Sequence, residues 1–517
     1  MIPFPRSCAL GASLLCWLLT ALPAAAEEAL ALRNARVLTG AGEVLDGATI
    51  VIRNGKIEAL GRDSAAPSGV PVRDLSGRTV FPGLIDAGAR LGGPEGETSP
   101  DVSALDAFDR FDPATDRLLA GGVTTVLLSP PGRTGLLGRA ALVKLGVPDR
   151  APLREEAGLR AALALGGDRS STEQRHQEWS ALRRALEQAQ EYAKTWEKYE
   201  KDLAAYQVKK AEYDRQTGGK ASGSPPAGDG GGAAPGGGGG RRRRPDTSNL
   251  SPEERQKLRE EFQKRMQERR EEGGEDPPAP AGREEGGGGT SQQKKTDETK
   301  QDEKKPDGEA PEEKKPEPPR PPVKPRRPRK DAAQEVVART LRGELPLLLE
   351  AQREDDLRTA LRLAEEFRLR LVVLGGGAAG RLTSDLVRLK VPVIWGPLVR
   401  FDERLELKGR DDATPAKLRS AGVPFAFGTL DDQPSASRFL PLGAAETLRS
   451  GLSADDALAA ITSASARILG VEDRVGTLAP GRDADLVVAT GSPFDPASRV
   501  ELVLVDGKVA WERKETR

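Results

Sequence analysis

Side chains able to do metal or covalent chemistry are scarce in this chain. Its 517 residues hold one histidine, His176, and two cysteines, Cys8 and Cys16. Both cysteines sit in or beside an apolar run ending at Leu22, with Arg6 before it and Ala24, Ala25 and Ala26 after it. That order reads as a secretory signal peptide, residues 1–26, cleaved ahead of Glu27, with an uncleaved N-terminal anchor as the alternative. The run is too short for a comfortable membrane span. The mature chain is therefore expected to be periplasmic or secreted, with no transmembrane span, no disulfide and no thiol nucleophile. His176 stands in the charged stretch 171–177 and is expected to face solvent. A conventional site with several histidine or cysteine ligands cannot be assembled from what is left.

The elements that must position any remaining site are uneven along the chain. Lysine and arginine total 79 and aspartate and glutamate 79, so no net field draws in nucleic acid or membrane. The apolar content is 37% and mean hydropathy −0.51, low for a compact chain, and the deficit is local. Residues 214–330 are dominated by glycine, proline and charge, with Gly236–Gly240 followed directly by Arg241–Arg244. Ordering a residue costs about 1–2 kcal/mol of backbone entropy, and this stretch has little apolar surface to bury in return. It is expected to be a disordered insertion, with a transient helix at 251–272. Ahead of it, residues 171–210 carry Leu182, Leu186, Ala189, Ala193, Trp196, Tyr199, Leu203 and Tyr206 at three-four spacing. That predicts a long helix docked on the main body, with a coiled-coil dimer contact as the alternative.

Leader and insertion aside, short apolar strands alternate with amphipathic helices. Strands are expected at 123–128, 346–349, 371–374, 391–395 and 424–427, and helices at 355–367, 382–389, 413–421 and 454–469. This alternation favours an α/β fold with a parallel sheet or barrel. Both ends differ, reading as short strands with tight turns at Arg53-Asn54-Gly55-Lys56 and Val505-Asp506-Gly507-Lys508.

Several motifs then carry a resemblance. LRNARVLTGAGEVLDGATIVIRNGKIEAL at 32–60 and TVFPGLID at 79–86 occur at one end, with ALAAITSASARILGVEDRVGTLAPGRDADLVV at 457–488 and VLVDGKV at 503–509 at the other. In this order they resemble the amidohydrolase superfamily, in its imidazolonepropionase-like and dihydroorotase-like branches. The resemblance implies a TIM-like (β/α)8 barrel with a small β-sandwich built from both chain ends. The expected division is sandwich 27–80, barrel 81–213, insertion 214–330, barrel 331–477 and sandwich 478–517. It also implies a site at the C-terminal ends of the barrel strands, where zinc or another divalent metal activates water for attack on an amide-like carbon.

The ligands that this resemblance calls for are missing. The first-strand motif Asp-x-His-x-His reads Asp86-Ala87-Gly88-Ala89-Arg90. A fifth-strand histidine is expected near 347–352, where Glu350 and Gln352 stand; Glu350 is expected to face solvent or pair with Arg353. A further histidine is expected near Leu374-Gly375-Gly376-Gly377. The aspartate after a Gly-Thr falls on Leu430, with Asp431 and Asp432 next, and these two are expected at the surface or capping a helix. Lys144, in RAALVKL, is either a remnant near the pocket or a strand-end lysine.

Hydrolysis by the family mechanism is thus expected to be lost, with no cofactor retained. Asp86 and Asp431 remain as vestigial catalytic candidates, and Arg90, Lys144, Glu350 and Gln352 as ligand-binding candidates. The leading reading is an exported pseudoenzyme that binds a small molecule, anionic in character because of Arg90, or a partner such as a second copy or a paired homologue. The alternatives are an active C–N hydrolase working through carboxylates, and an interaction protein using the long helix and insertion.

Overall fold

The computed structural model describes residues 29–62, 64–89, 98–132, 134–147, 151–163, 172–217, 320–398, 405–431 and 434–514. The expected leader, Arg90, Asp432 and the expected helix at 251–272 lie outside these residues, as does most of the insertion. Two compact units divide the chain, the larger formed by Met1–Val208 with Val323–Arg517 and the smaller by Lys209–Pro322.

The N-terminal end of the larger unit contributes β1 (Ala29–Leu38), β2 (Val44–Arg53), β3 (Lys56–Gly61), β4 (Val72–Asp74) and β5 (Thr79–Pro82). Eight strands follow: β6 (Leu84–Ala89), β7 (Val123–Leu128), β8 (Gly135–Lys144), β9 (Arg154–Ala162), β10 (Leu347–Ala351), β11 (Leu371–Gly375), β12 (Val393–Trp395) and β13 (Phe425–Phe427). The C-terminal end adds β14 (Leu486–Ala489), β15 (Val500–Val505) and β16 (Lys508–Glu512). The helices are α1 (Ala114–Ala120), α2 (Thr172–Gln216), α3 (Ala332–Leu341), α4 (Glu354–Phe367), α5 (Thr383–Leu389), α6 (Thr414–Ala421), α7 (Leu440–Leu448), α8 (Ala454–Ala460) and α9 (Ser463–Leu469).

Both chain ends share one sheet in the order β16-β15-β14-β5-β1-β2-β3, with β4 beside β1. Its two terminal hairpins turn where the sequence places them. Asn54 and Gly55 have φ of 50° and 79°, and Asp506 and Gly507 have 48° and 72°. Two successive left-handed residues make the hairpin turn whose twist matches the flanking strands. These hairpins also meet each other through Ala484, whose N–H donates to Gly55 O at 2.8 Å while its carbonyl accepts from Gly507 N at 3.0 Å. The sheet thereby closes over a core that includes Leu32, Ile50, Ile52, Val80, Leu486 and Leu504.

The other eight strands stand side by side in sequence order from β6 to β13. All neighbours are parallel except β8, which runs antiparallel to both β7 and β9. The expected TIM-like barrel is present, with β8 as its reversed strand. A parallel crossover needs a dozen or more residues, and Leu128 is too close to Gly135 to allow one. The barrel closes where Leu430 N donates to Gly88 O at 2.9 Å. Inside it, Ile85, Ala87, Leu127, Leu142, Leu348, Val372, Leu374, Ile394 and Ala426 form one apolar cluster, met by Ala466 and Leu469 of α9. The expected helix 454–469 is two helices, because Ile461 O accepts from Ile85 N at the start of the barrel instead of continuing the helical ladder.

Helix α2 docks as expected. Leu182, Leu186 and Ala189 are buried, Arg175 pairs with Asp355, Arg183 with Glu366, and Tyr192 OH donates to Glu335 at 3.3 Å. Only the edges of the expected insertion 214–330 fall among the described residues. Residues 214–216 continue α2, and 323–330 lie in the larger unit with half-buried prolines.

Two ion clusters fasten the unit. Lys144 Nζ, 4% exposed, donates to Asp483, Asp485 and Asp506 at 2.8, 3.0 and 2.7 Å. Burial pulls its pKa down, but the three carboxylates more than offset that and hold it above the ordinary lysine value. Lys56 and Arg474 share Asp483, which balances the charge. Replacing Lys144 with Met leaves these aspartates buried without their common cation, so a loss of about 3–5 kcal/mol is expected in denaturant unfolding. Elsewhere Glu156 of β9 joins β8 to α3, accepting from Arg339 at 2.5 Å and from Arg139 at 2.5 Å. Arg339 foremost, and then Arg139, hold its carboxyl down from 4.5 to about 2. Its stabilising effect is therefore present above the unfolded value and fades as pH falls toward 2. Glu156→Gln should cost about 1 kcal/mol at neutral pH, given solvent screening, with the gap to wild type closing between about pH 4.5 and pH 2 in thermal melts.

Candidate functional site

Strand β6 delivers Asp86, its third residue, which is fully buried. Its carboxylate accepts four hydrogen bonds. Oδ1 takes Gly88 N and Thr429 N at 3.0 Å each, and Oδ2 takes Thr429 Oγ1 and Ser437 Oγ at 2.6 Å each. A carboxylate has about four lone-pair sites, so every one is engaged and none is left for a metal or a substrate proton.

Beside it, Gly88 stands where the resemblance calls for a ligand, and the space a side chain would need is taken. A Cβ at Gly88 would collide with Leu430 Cδ2, and one at Gly396 would lie 3.0 Å from Leu430 Cδ1. Leu430 has φ of 46°, a left-handed backbone unusual for leucine. That turn, fixed by the bond from Leu430 N to Gly88 O, aims the side chain over Gly88 and Gly396. Leu430 therefore fills the place expected for the last aspartate. Asp431, expected at the surface, is 7% exposed.

The opposite wall is also closed. Gln352, just past β10, donates from Nε2 to Gly396 O at 3.1 Å and accepts at Oε1 from Gly377 N at 3.0 Å. A Cβ at Gly375 would collide with this amide, and Gly375 has φ of 90°, so glycine is required there on two counts. The position expected for a sixth-strand histidine is thus filled by Gln352, whose amide ties together the ends of β10, β11 and β12.

Glu350 corrects the sequence expectation. It is 1% exposed and pairs with Arg160 of β9, while Arg353 pairs instead with Asp355. Arg160 is itself fully buried and donates to Pro130 O at 2.5 Å and Gly132 O at 3.4 Å, just beyond β7. Sequence reasoning missed Arg160, although one arginine inside the apolar run GLRAALAL is the signal of a buried charge awaiting a partner. Lys144 is placed elsewhere: it pairs with Thr125 near the start of β7, at the barrel's N-terminal end, and belongs to the aspartate cluster described above. It is not a pocket remnant. Arg90 lies outside the described residues, and His176 is exposed on α2.

Among the described residues, no three histidine, cysteine, aspartate or glutamate side chains converge as a metal-holding group. The donors present do not fit a divalent metal, since Asp86 is saturated and Glu350 neutralises an arginine. Open space lies instead past the end of β12, in a cavity of about 280 Å3 lined by Trp395, Arg410, Asp412, Glu446, Arg449 and Ser450. Arg410 stacks 3.9 Å over the Trp395 ring and bonds Asp412 at 2.9 Å, whereas Arg449 is largely exposed, 3.9 Å from Glu446.

Two family models match the chain, an amidohydrolase family over residues 375–510 and the NagA composite domain over 30–80. A dihydroorotase of Geobacter metallireducens is 37% identical over 91 residues, 18% of this chain and 19% of that protein. An imidazolonepropionase of Stenotrophomonas maltophilia is 40% identical over 84 residues, 15% of this chain and 20% of that protein. The chain thus matches about a fifth of the length of these curated relatives. A solved amidohydrolase from Thermotoga maritima superposes with a TM-score of 0.63 at 25% identity, covering 94% of this chain and 100% of that one.

Restoring a side chain at position 88 tests the plug. Gly88→His should destabilise by about 1–3 kcal/mol through overpacking against Leu430. Adding Leu430→Ala should recover part of that loss, so urea unfolding of both singles and the double should show a favourable coupling between the two sites.

Proposed function

The chain belongs to the amidohydrolase superfamily, and we propose that it is an exported, degenerate member that binds a ligand or partner and does not hydrolyse through a metal. One observation carries this reading: Leu430 occupies the space above Gly88, in the place where a first-strand ligand would stand. The engagement of Asp86 by four donors and of Glu350 by Arg160 supports it. Water activation in this family depends on a metal lowering the pKa of bound water, and the side chains that would hold the metal are replaced by glycine and leucine or bonded elsewhere.

Binding is left to surfaces outside the plugged barrel. The cavity past β12 offers Arg449 to an anionic group and Glu446 and Asp412 to a cationic one, beside the Arg410 guanidinium stacked on Trp395. That chemistry suits a small carboxylate. The relatives' names supply the first probes, dihydroorotate and imidazolonepropionate.

Both compounds should be incubated with the full chain and excess zinc or manganese. The expected result is no turnover above buffer, together with a saturable thermal shift by a small carboxylate that Arg449→Ala abolishes. Turnover that scales with protein and disappears in Asp86→Asn would contradict the reading.

A further inference from the structure

Outside the barrel, a strap with half-buried prolines meets α2. Residues Val323–Lys330, VKPRRPRK, form neither helix nor strand. Pro325 and Pro328 are half-buried, while Val323, Lys324, Arg326, Arg327, Arg329 and Lys330 are exposed. Burial at every third residue is the repeat of a polyproline II helix, which rises about 3.1 Å per residue. On α2, Tyr192, Trp196 and Tyr199 are half-buried at three-four spacing, with ring centroids 6.3 and 5.9 Å apart. The Arg327 guanidinium lies 5.7 Å from the Trp196 ring centroid, which places the strap against this aromatic stripe. Aromatic surfaces of this kind hold polyproline segments because little chain entropy remains to be lost. At the far end, Asp331 caps α3 by accepting from Gln334 N at 3.0 Å, so the strap leads directly into a fixed helix.

The three-residue repeat sorts the strap's side chains into files. Pro325 and Pro328 share one face, Lys324, Arg327 and Lys330 the second, and Arg326 and Arg329 the third. Neighbouring cations in a file are about 9.3 Å apart. Three lysines on α2 are neutralised locally, Lys194 by Glu191, Lys201 by Glu197 and Lys210 by Asp214. Among the described residues, Lys324, Arg326, Arg329 and Lys330 make no such pair.

We propose that this strap is a binding surface for a linear polyanion of the acidic-polysaccharide class, with its cations spaced by the three-residue repeat of its half-buried prolines. A pre-ordered rod loses little conformational entropy when a charged chain aligns with it. Two cationic faces about a third of a turn apart suit a thread-like partner better than a flat bilayer, and Val323 is the one apolar side chain on them. Trp196 is half-buried and already carries the Arg327 guanidinium, and the strap has no aromatic residue of its own, so its cationic faces add no ring on which a nucleic-acid base could stack.

The probe is dextran sulfate against neutral dextran, titrated into the full chain at rising salt. Saturable binding to the sulfated polymer that weakens with salt is expected. The charge variant K324Q/R326Q/R329Q/K330Q should weaken it at least tenfold. The anchor variant P325G/P328G keeps every charge and should weaken it at least threefold. Changing Arg241→Gln through Arg244→Gln should alter it less than twofold. None of these positions lies in the barrel core, so the charge variants should melt with wild type, and the anchor variant should keep a single cooperative transition lowered only by the entropy that glycine returns to the unfolded chain. The proposal is overturned if dextran sulfate does not bind, if the anchor variant binds like wild type, or if the Arg241–Arg244 change accounts for the binding. Preference for phosphatidylglycerol vesicles or single-stranded DNA over dextran sulfate would overturn it equally.

Discussion

The space above Gly88 holds one side chain, and here it belongs to Leu430. The turn that puts it there follows Gly428 and Thr429, and the same turn brings the Thr429 amide and hydroxyl onto Asp86. Gly428 is in turn pressed against Gly88, where a Cβ would lie 3.0 Å from the Gly88 backbone. Barrel closure, the leucine plug and the saturation of Asp86 are therefore one arrangement. A larger residue at 88 would meet the Leu430 side chain, and the backbone N–H of the same Leu430 holds the seam between β13 and β6.

The other wall is coherent with that arrangement. Arg160 and Glu350 are both withdrawn from water, a costly state that is tolerable only because each neutralises the other and the arginine also reaches backbone carbonyls. Gln352 fills the space left by Gly375 and bonds two strand ends. What in an amidohydrolase would be a wet, ligand-rich cup is here a packed set of paired side chains. The opposite end of the barrel is fastened separately, where Lys144 gathers the three aspartates of the sandwich. Polar groups at both ends thus hold the fold together, those at the mouth through hydrogen bonds to one another and to the backbone.

Much of the fold was legible in the sequence. The two hairpins follow from Asn-Gly and Asp-Gly, which fix a local backbone irrespective of context, and β7 begins and ends where its apolar run does. The missing ligands were legible too, since glycine and leucine cannot coordinate. Which side chain fills a vacated position was not, because Leu430 reaches Gly88 only through a left-handed turn and Gln352 reaches Gly375 only through strand pairing. Glu350 was misread because its partner, Arg160, lies far away in sequence. Lys144 was ambiguous because strand direction decides which barrel end it occupies, and the reversal of β8 was not foreseen. The strap at 323–330 reads as low-complexity linker by composition, and its half-buried prolines and the Arg327–Trp196 contact are set by tertiary placement that composition does not reveal.

Metal content tests the central claim most directly. The chain from Glu27 onward would be analysed by elemental mass spectrometry before and after incubation with excess zinc, manganese and magnesium, followed by desalting. A barrel mouth filled by Leu430, Gln352 and the Arg160–Glu350 pair predicts no stoichiometric metal under any of these conditions. One or more tightly held ions per chain would contradict the account and direct mutation to Asp86, Glu350 and Asp431 as the ligands.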